Sequence, residues 1–566
     1  MKAKRHNNYD VLKIFCKNIQ EYISIDASDS LLDVYEIIQQ RLGLQGDAVC
    51  ALVNNKAEDL RYPVYRPKHV EFLDITSNAG YRVYTRSLCM VLYKALNDLY
   101  PGKRLCIQHS IGNGHYCQIK HEEEFATRKV IISLRKRMQE IIDEDITFVR
   151  RERLTRDVVE IFRKQGLRDK VRLLDGSKRL YTTYYKLDDI SDSFYGPLVP
   201  STGYLQVFDL VPYAKGMLLL GPDRSCITRV ATAVKQPKLF KAFTDYINLS
   251  KIIHVGDVGE LNNVISNGSA PMLISVVEAL HNKRITQIAD EITRRHKKGE
   301  ARVVLIAGPS SSGKTTTSKR LAVQLLTNYI VPREIGLDNY FVNREQTPRD
   351  ANGEYDFESL YALDLEQLNQ DINDLLAGKE VKMPTYNFEK GIREYKGNTL
   401  RLGENDVLLM EGIHGLNPEL TKQIPEQQKF RLFVSALTTL SIDDHNWIGT
   451  YDNRLLRRII RDYKYRGVNA QQTIRRWASV RHGEDKWITP FHENADATFN
   501  SSLLFELSVM KNYAEPILSQ VPVDSPEYAV AYRLLTFLSY FEPLGEQDVP
   551  STSLLREFLG GSSFHY

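Results

Sequence analysis

The chain has 566 residues, enough for about three or four domains with buried cores. Its 75 basic and 71 acidic side chains leave a net charge of +4, which argues against a dedicated nucleic-acid coater but allows a local basic patch. Six cysteines, all within the first 226 residues and without a C-x-x-C pair, fit reduced thiols in a cytosolic protein.

The opening stretch, MKAKRHNNYDVLKIFCKNIQEY, is basic but lacks the continuous apolar core of a signal peptide. No run approaches the roughly 18 apolar residues of a membrane span, so a cytoplasmic protein without membrane partners is expected. Residues 1–75 alternate short strand-like runs (Leu12 to Phe15, Tyr22 to Ile25, Val49 to Val53, Val70 to Ile75) around one helical stretch, Ser30 to Leu42, the order of a small β-grasp module. Residues 76–235 mix helices with strands, and the charged helix from Glu124 to about Asp145 reads as a solvated face. Residues 236–299 form a helical connector ending in a charged linker, Arg294 to Glu300. Residues 300–510 form a nucleotide domain, and 511–566 a tail with a helical segment from Pro526 to Tyr540. The fold class expected is therefore α/β and multidomain.

Residues 308–316, Gly308-Pro309-Ser310-Ser311-Ser312-Gly313-Lys314-Thr315-Thr316, carry the nucleotide domain's chemistry. An apolar run, Arg302 to Ala307, precedes them as a buried strand, and an amphipathic helix with Leu321, Ala322, Leu325 and Leu326 on one face follows. Backbone amides of such a loop cradle phosphates at a helix N-terminus, Lys314 reaches the β- and γ-phosphates, and the Thr315 hydroxyl can ligate Mg²⁺. This is a P-loop for ATP.

A switch and a phosphotransferase share that loop, and the residues downstream separate them. Ile335 to Phe341 reads as a second strand ending in Asp338, a carboxylate placed to take a proton from an attacking hydroxyl. Asp406 to Gly412 is an apolar strand closing on Glu411, where a carboxylate can support Mg²⁺. Arg454, Arg457 and Arg461 recur at helical spacing, and a row of guanidiniums suits the charge on a transferring phosphoryl group. Asp338 and the three arginines are expected to be catalytic beside Lys314.

In order, GPSSSGKTT, LDNYF, YDFESLYALD, MPTYNF, DVLLMEGI and NRLLRRIIRD resemble the uridine kinase branch of the phosphoribulokinase/uridine kinase family. The resemblance implies a P-loop parallel-sheet kinase domain that takes ATP, Mg²⁺ and a nucleoside-like acceptor, in a homo-oligomer. It implies that Asp338 is the base for the 5′-hydroxyl and that Asp364 binds the ribose. It also implies that Tyr386, Phe388, Arg393 and Ile413 surround the acceptor, with Glu411 on the metal side. One position departs: where uridine kinases commonly carry a base-reading histidine, this chain has Gly391.

The first 235 residues resemble another family. Cys50 to Leu60 is similar to the TGS module of threonyl-tRNA synthetases, and Leu99-Tyr100-Pro101, Ile111 to Tyr116 and Ile190 to Tyr204 to their α+β editing domain. The family's H-x-x-x-H pair is replaced by Arg86 and Met90, and the cysteine and histidine of its D-x-C-x-G-P-H stretch by Phe194 and Leu198. With no base or metal ligand to activate water, the block is expected to bind or regulate, with tRNA or another RNA as candidate partner, and not to hydrolyse. Cys106, His109, His115 and Cys117 have zinc-ligand types but flank a Gly-Asn-Gly turn without finger spacing. Two other readings stay open: an RNA-associated P-loop regulator that binds ATP, and a kinase of a different small-molecule alcohol.

Overall fold

The computed structural model describes residues 11–122, 124–349, 353 and 355–565, so the first ten residues of the stretch tested for a signal peptide lie outside it. Strands Val11–Cys16, Glu21–Asp26, Cys50–Val53, Lys56–Glu58 and His69–Leu73 form one sheet in the spatial order second, first, fifth, third, fourth. The first and fifth run parallel and the other neighbours antiparallel, with helix Leu31–Ile38 packing Leu31, Val34 and Ile38 into the core beside them. That is a β-grasp. The helix starts in a capping box, Ser30 accepting from the Asp33 amide while the Asp33 carboxylate returns to Ser30. The three-residue strand Lys56–Glu58 escapes the sequence pattern. It exists because Asn54 and Asn55, at φ 47° and 61°, make a tight hairpin turn back onto Cys50–Val53.

The next block is built on helix Asn78–Leu99, buried along most of its length. Beside it lie an antiparallel sheet of Leu105–Ile111, Gly114–Ile119, Gly216–Leu220 and Asp209–Tyr213, and a smaller one of Val149–Leu154, Tyr181–Leu187 and Ile190–Asp192. Helix Arg128–Asp143 turns Ile131, Leu134, Met138 and Ile141 inward, which leaves its charged residues on the outer face. Helices Pro237–Ile253, Val258–Ser266 and Ala270–His296 follow. The charged stretch expected as a linker is in its first part the last turn of that third helix. Arg295 donates to Asp496 Oδ1 and the Lys429 carbonyl, both at 3.0 Å, so it is docked on the nucleotide domain.

Five parallel strands then form the nucleotide domain's sheet, in the spatial order Val331–Gly336, Asp406–Glu411, Val303–Ala307, Lys429–Ser435, Ala497–Asn500. The central strand Val303–Ala307 is wholly buried, as a parallel strand covered on both faces must be. Residues 511–565 pack back onto the nucleotide domain. Helices Glu506–Leu518, Tyr528–Leu538 and Arg556–Leu559 bring Leu534, Phe537, Leu554 and Phe558 into the core that holds Leu321 and Leu325 of the P-loop helix. No helix among the described residues is long and apolar enough to cross a membrane.

Candidate active site

The loop 308–313 leads from the central strand into helix Lys314–Thr327. Ser311 and Gly313 sit at φ 57° and 82°, and a Cβ on Gly308 would lie 2.0 Å from the Val434 carbonyl oxygen, so the loop needs its first glycine for close approach. Lys314 Nζ donates to the Pro309 carbonyl at 3.3 Å. Thr315 Oγ1 donates to Glu411 Oε1 at 3.0 Å, which joins the two expected metal-side residues. Burial pushes the Glu411 carboxyl up to about 7, Lys314 pulling it down and Glu557 and Asp338 adding to the rise. A hydroxyl and one carboxylate are hard oxygen donors that suit Mg²⁺ bound chiefly through phosphates and water. Among the described residues no group of three or more His, Cys, Asp or Glu could hold a metal without that help.

Thr316, at the first turn of the helix, gives both its amide (3.2 Å) and its hydroxyl (2.6 Å) to Glu557 Oε2. The C-terminal segment therefore lies across the phosphate cradle, with a Leu554 methyl 2.0 Å from where a Cβ on Gly313 would be. Nothing local in the sequence signals this contact, because its partners are 241 residues apart.

Asp338 stands on the short turn Leu337–Tyr340 at the end of strand Val331–Gly336. Solvent reaches its carboxylate, yet the surrounding protein crowds it and lifts its pKa above the usual range, against the pull of Lys314 and Arg466. Its neighbour Asn339 accepts from the Tyr386 amide at 3.3 Å. Tyr386, Phe388 and Phe341 form an aromatic group with centroids 5.1–6.4 Å apart, Phe388 remaining 60% exposed. Asp364 caps helix Leu365–Leu376 through the Gln367 amide and pairs with Arg393 Nη2 at 2.8 Å. Four of the five expected acceptor residues thus gather near one turn. Ile413 packs against the cluster of Ala307, Leu416 and Phe433, next to Gly412, whose would-be Cβ meets Leu337 of that turn. Gly391, at φ 70°, is where the Arg344 guanidinium packs, 2.7 Å from a would-be Cβ, so an arginine takes the space beside this glycine.

The arginine row needs correction. On helix Thr450–Arg466, Arg457 is fully buried, bound to Glu506 (2.5 and 2.9 Å) and the Ser501 carbonyl (2.8 Å). Arg454 is committed to Glu484 at 2.5 and 2.7 Å, and Arg461 to Asp462 at 2.8 and 3.0 Å. Buried ion pairs hold Arg454 and Arg457, and Arg457 Nη1 donates to the Ser311 carbonyl at 3.5 Å, so these arginines brace the loop. The residues facing the site are Arg458, which donates to Ser310 Oγ at 3.1 Å, and Arg466, which acts on Asp338. The sequence contained both, but the apolar periodicity gave no reason to choose them. Glu358, lifted to about 7 by burial and Glu484 against Arg458 and Lys314, also borders the site and was not anticipated.

In the N-terminal half, the four replaced editing positions are packed shut. Arg86 donates to the Pro197 carbonyl at 3.1 and 3.3 Å, while Met90, Phe194 and Leu198 are buried core. Asp192 survives, and the nucleotide domain takes it. Residues 441–447 leave strand Lys429–Ser435 and insert here: His445 Nδ1 meets Asp192 Oδ2 at 2.6 Å, and Lys170 Nζ bridges Asp192 Oδ1 (2.8 Å) and Asp443 Oδ1 (2.9 Å). The Asp192 charge holds His445 above its ordinary pKa despite burial. Of the residues weighed for zinc, His109 stacks on Phe243 at 3.5 Å and burial lowers it to about 3. His115 packs on Trp447 at 4.2 Å and is lowered to about 4, and burial raises the Cys106 and Cys117 thiols.

Comparison with known proteins agrees with this division. Residues 303–504 match the Phosphoribulokinase / Uridine kinase family. A uridine kinase from Ureaplasma parvum is 25% identical over 35% of this chain and 86% of its own length. A threonine--tRNA ligase from Desulforamulus reducens is 32% identical over 42% of this chain but only 36% of its own. The chain thus spans about a third of the ligases it matches. A solved Bacillus stearothermophilus protein described as "a Possible Uridine Kinase" shares 19% identity, covering 38% of this chain and all of that one at a TM-score of 0.24, too low to weigh. Residues 303–504 thus match the Phosphoribulokinase / Uridine kinase family, behind an N-terminal half similar to part of the threonine--tRNA ligases.

Proposed function

We propose that the C-terminal half transfers the γ-phosphate of ATP to the 5′-hydroxyl of a nucleoside. The observation that carries this reading is the turn Leu337–Tyr340. It presents Asp338 within electrostatic reach of Lys314, while its Asn339 holds the strand bearing Tyr386. A nucleotide switch requires no acceptor pocket beside its γ-phosphate.

In this reading Asp338 takes the proton of the attacking hydroxyl. Lys314, Arg458 and Arg466 offset the charge on the transferring group, and electrostatics with positioning supply most of the acceleration. Asp364, oriented by Arg393, holds the sugar hydroxyls, and Phe341, Tyr386 and Phe388 shelter the ring from water. Thr315 and Glu411 would hold Mg²⁺, which supplies neutralisation of the β- and γ-oxygens when bound. The N-terminal half serves as a scaffold that anchors residues 441–447, not as a hydrolase; RNA binding on its outer surface and a homo-oligomeric, cytoplasmic enzyme belong to the same proposal.

A different alcohol acceptor is the second reading. Arg344 over Gly391 favours it, because a guanidinium presents donors where the related enzymes commonly place a histidine. The test is a screen of nucleosides and other small alcohols for ADP release above the acceptor-free rate. Lys314→Ala should lose that release with every acceptor. Stimulation by a nucleoside supports the first reading, stimulation by another alcohol alone supports the second, and none with either class sinks both.

A further inference from the structure

A cavity of about 570 Å³ lies where residues 104–172, the helical connector and the nucleotide domain meet, apart from the P-loop and from the positions of the lost editing chemistry. Hairpin strands Leu105–Ile111 and Gly114–Ile119 give one wall, helix Arg168–Asp175 a second, the connector around His254 a third, and Thr439, Ser441 and Asp444 of the nucleotide domain the last. Its size is that of a site for a nucleotide-scale molecule.

The charge of the walls selects the ligand. Arg104, Lys120, Arg168, Arg172 and Lys251 line the cavity against three acids, Asp257, Glu260 and Asp444, with His121 and His254 besides. The acids are already engaged. Asp444 is held by Arg104 and Lys120, each at 2.6 Å, and Arg172 lies 2.7 Å from Asp257 and 3.1 Å from Glu260. Arg168 is exposed and makes no side-chain hydrogen bond or ion pair among the described residues, and the buried Nε of Arg172 has no partner. Cys106, Ile119 and Ile247 supply an apolar surface between these cations. We infer that the cavity binds a phosphate-bearing small organic molecule of nucleotide size, its phosphate on the Arg168 side and its ring or sugar against Ile119 and Ile247.

Such a ligand touches the loop that joins the two halves. The Asp444 carbonyl accepts from the Ile107 amide at 2.7 Å, so residue 444 is fixed between the hairpin and the cavity. Three residues on, Trp447 packs against His115, and Gly449 caps the helix whose Arg458 reaches the P-loop. Trp447 is therefore placed to report occupancy of the cavity. The binding claim does not depend on the kinase reading.

The experiment uses full-length protein carrying Lys314→Ala and Asp364→Ala, which removes phosphate and acceptor binding at the kinase site. AMP, UMP and inorganic pyrophosphate are titrated by calorimetry at low salt, with tryptophan emission of this background and of its Trp447→Phe derivative followed in parallel. At least one nucleotide should bind more tightly than pyrophosphate and change the Trp447 component. Adding Arg168→Glu and Lys251→Glu, both at exposed positions, should weaken that binding at least tenfold. Binding to none of the three overturns the inference, as does binding indifferent to the two charge reversals. Displacement of a bound nucleotide by uncharged tRNA would assign the cavity to RNA and overturn it equally.

Discussion

Glu557 sits where a phosphate of ATP should go, and its removal gives the sharpest test of the donor site. Its carboxylate accepts from the Thr316 amide and hydroxyl at 3.2 and 2.6 Å, at the N-terminal turn of the P-loop helix. An incoming phosphate needs those donors and meets a like charge. Hydrogen bonds to a charged acceptor contribute ~1.5–3 kcal/mol each, and Glu557→Gln keeps an acceptor oxygen while losing the charge. Releasing about 1.4 kcal/mol from that competition tightens Mg·ATP roughly tenfold. The substitution also removes one of the charges that lift Glu411 to about 7, so Glu411 ionises at lower pH and the pH at which Mg²⁺ supports binding moves down. Calorimetric titration of Mg·ATP into wild type and Glu557→Gln across neutral pH measures both effects. Unchanged or weaker ATP binding in the variant refutes the reasoning, because Glu557 would then be support for the loop and not a competitor.

Asp338→Asn should bind Mg·ATP as wild type does, while acceptor-dependent ADP formation falls roughly 10²–10⁴-fold in single-turnover assays. Asp364→Ala should act mainly on the acceptor KM, with a smaller loss of kcat. Lys170→Met leaves Asp192 and Asp443 buried without their shared cation, so urea unfolding should report a loss of about 3–5 kcal/mol. His445 is held above its ordinary pKa, so its pairing is worth most below the unfolded value and fades as pH rises through the folded one. His445→Gln should accordingly flatten the fall in stability as pH rises above the ordinary imidazole value of about 6.5.

Local physics made much of this protein legible in its sequence. A β-branched strand, a glycine-bracketed turn and an amphipathic helix define the P-loop in about 25 consecutive residues, because each element's signal is a spacing within itself. Asp338 was readable from the apolar run it follows, whereas Asp364, Tyr386, Phe388 and Arg393 were legible only through the resemblance to the uridine kinase branch. The departures were readable too: Arg86, Met90, Phe194 and Leu198 stand where a hydrolytic site would need polar groups. Tertiary structure alone decided which arginines face the P-loop, because helical spacing fixes a face but not what it packs against. Arg457 went to Glu506 and the buried interior, and Arg458 to Ser310. It alone brought Glu557 to Thr316, His445 to Asp192 and Arg344 to Gly391, contacts between segments with no common period. Such pairings are set by how independently folded faces complement one another in shape and charge, and no local pattern in the chain encodes that.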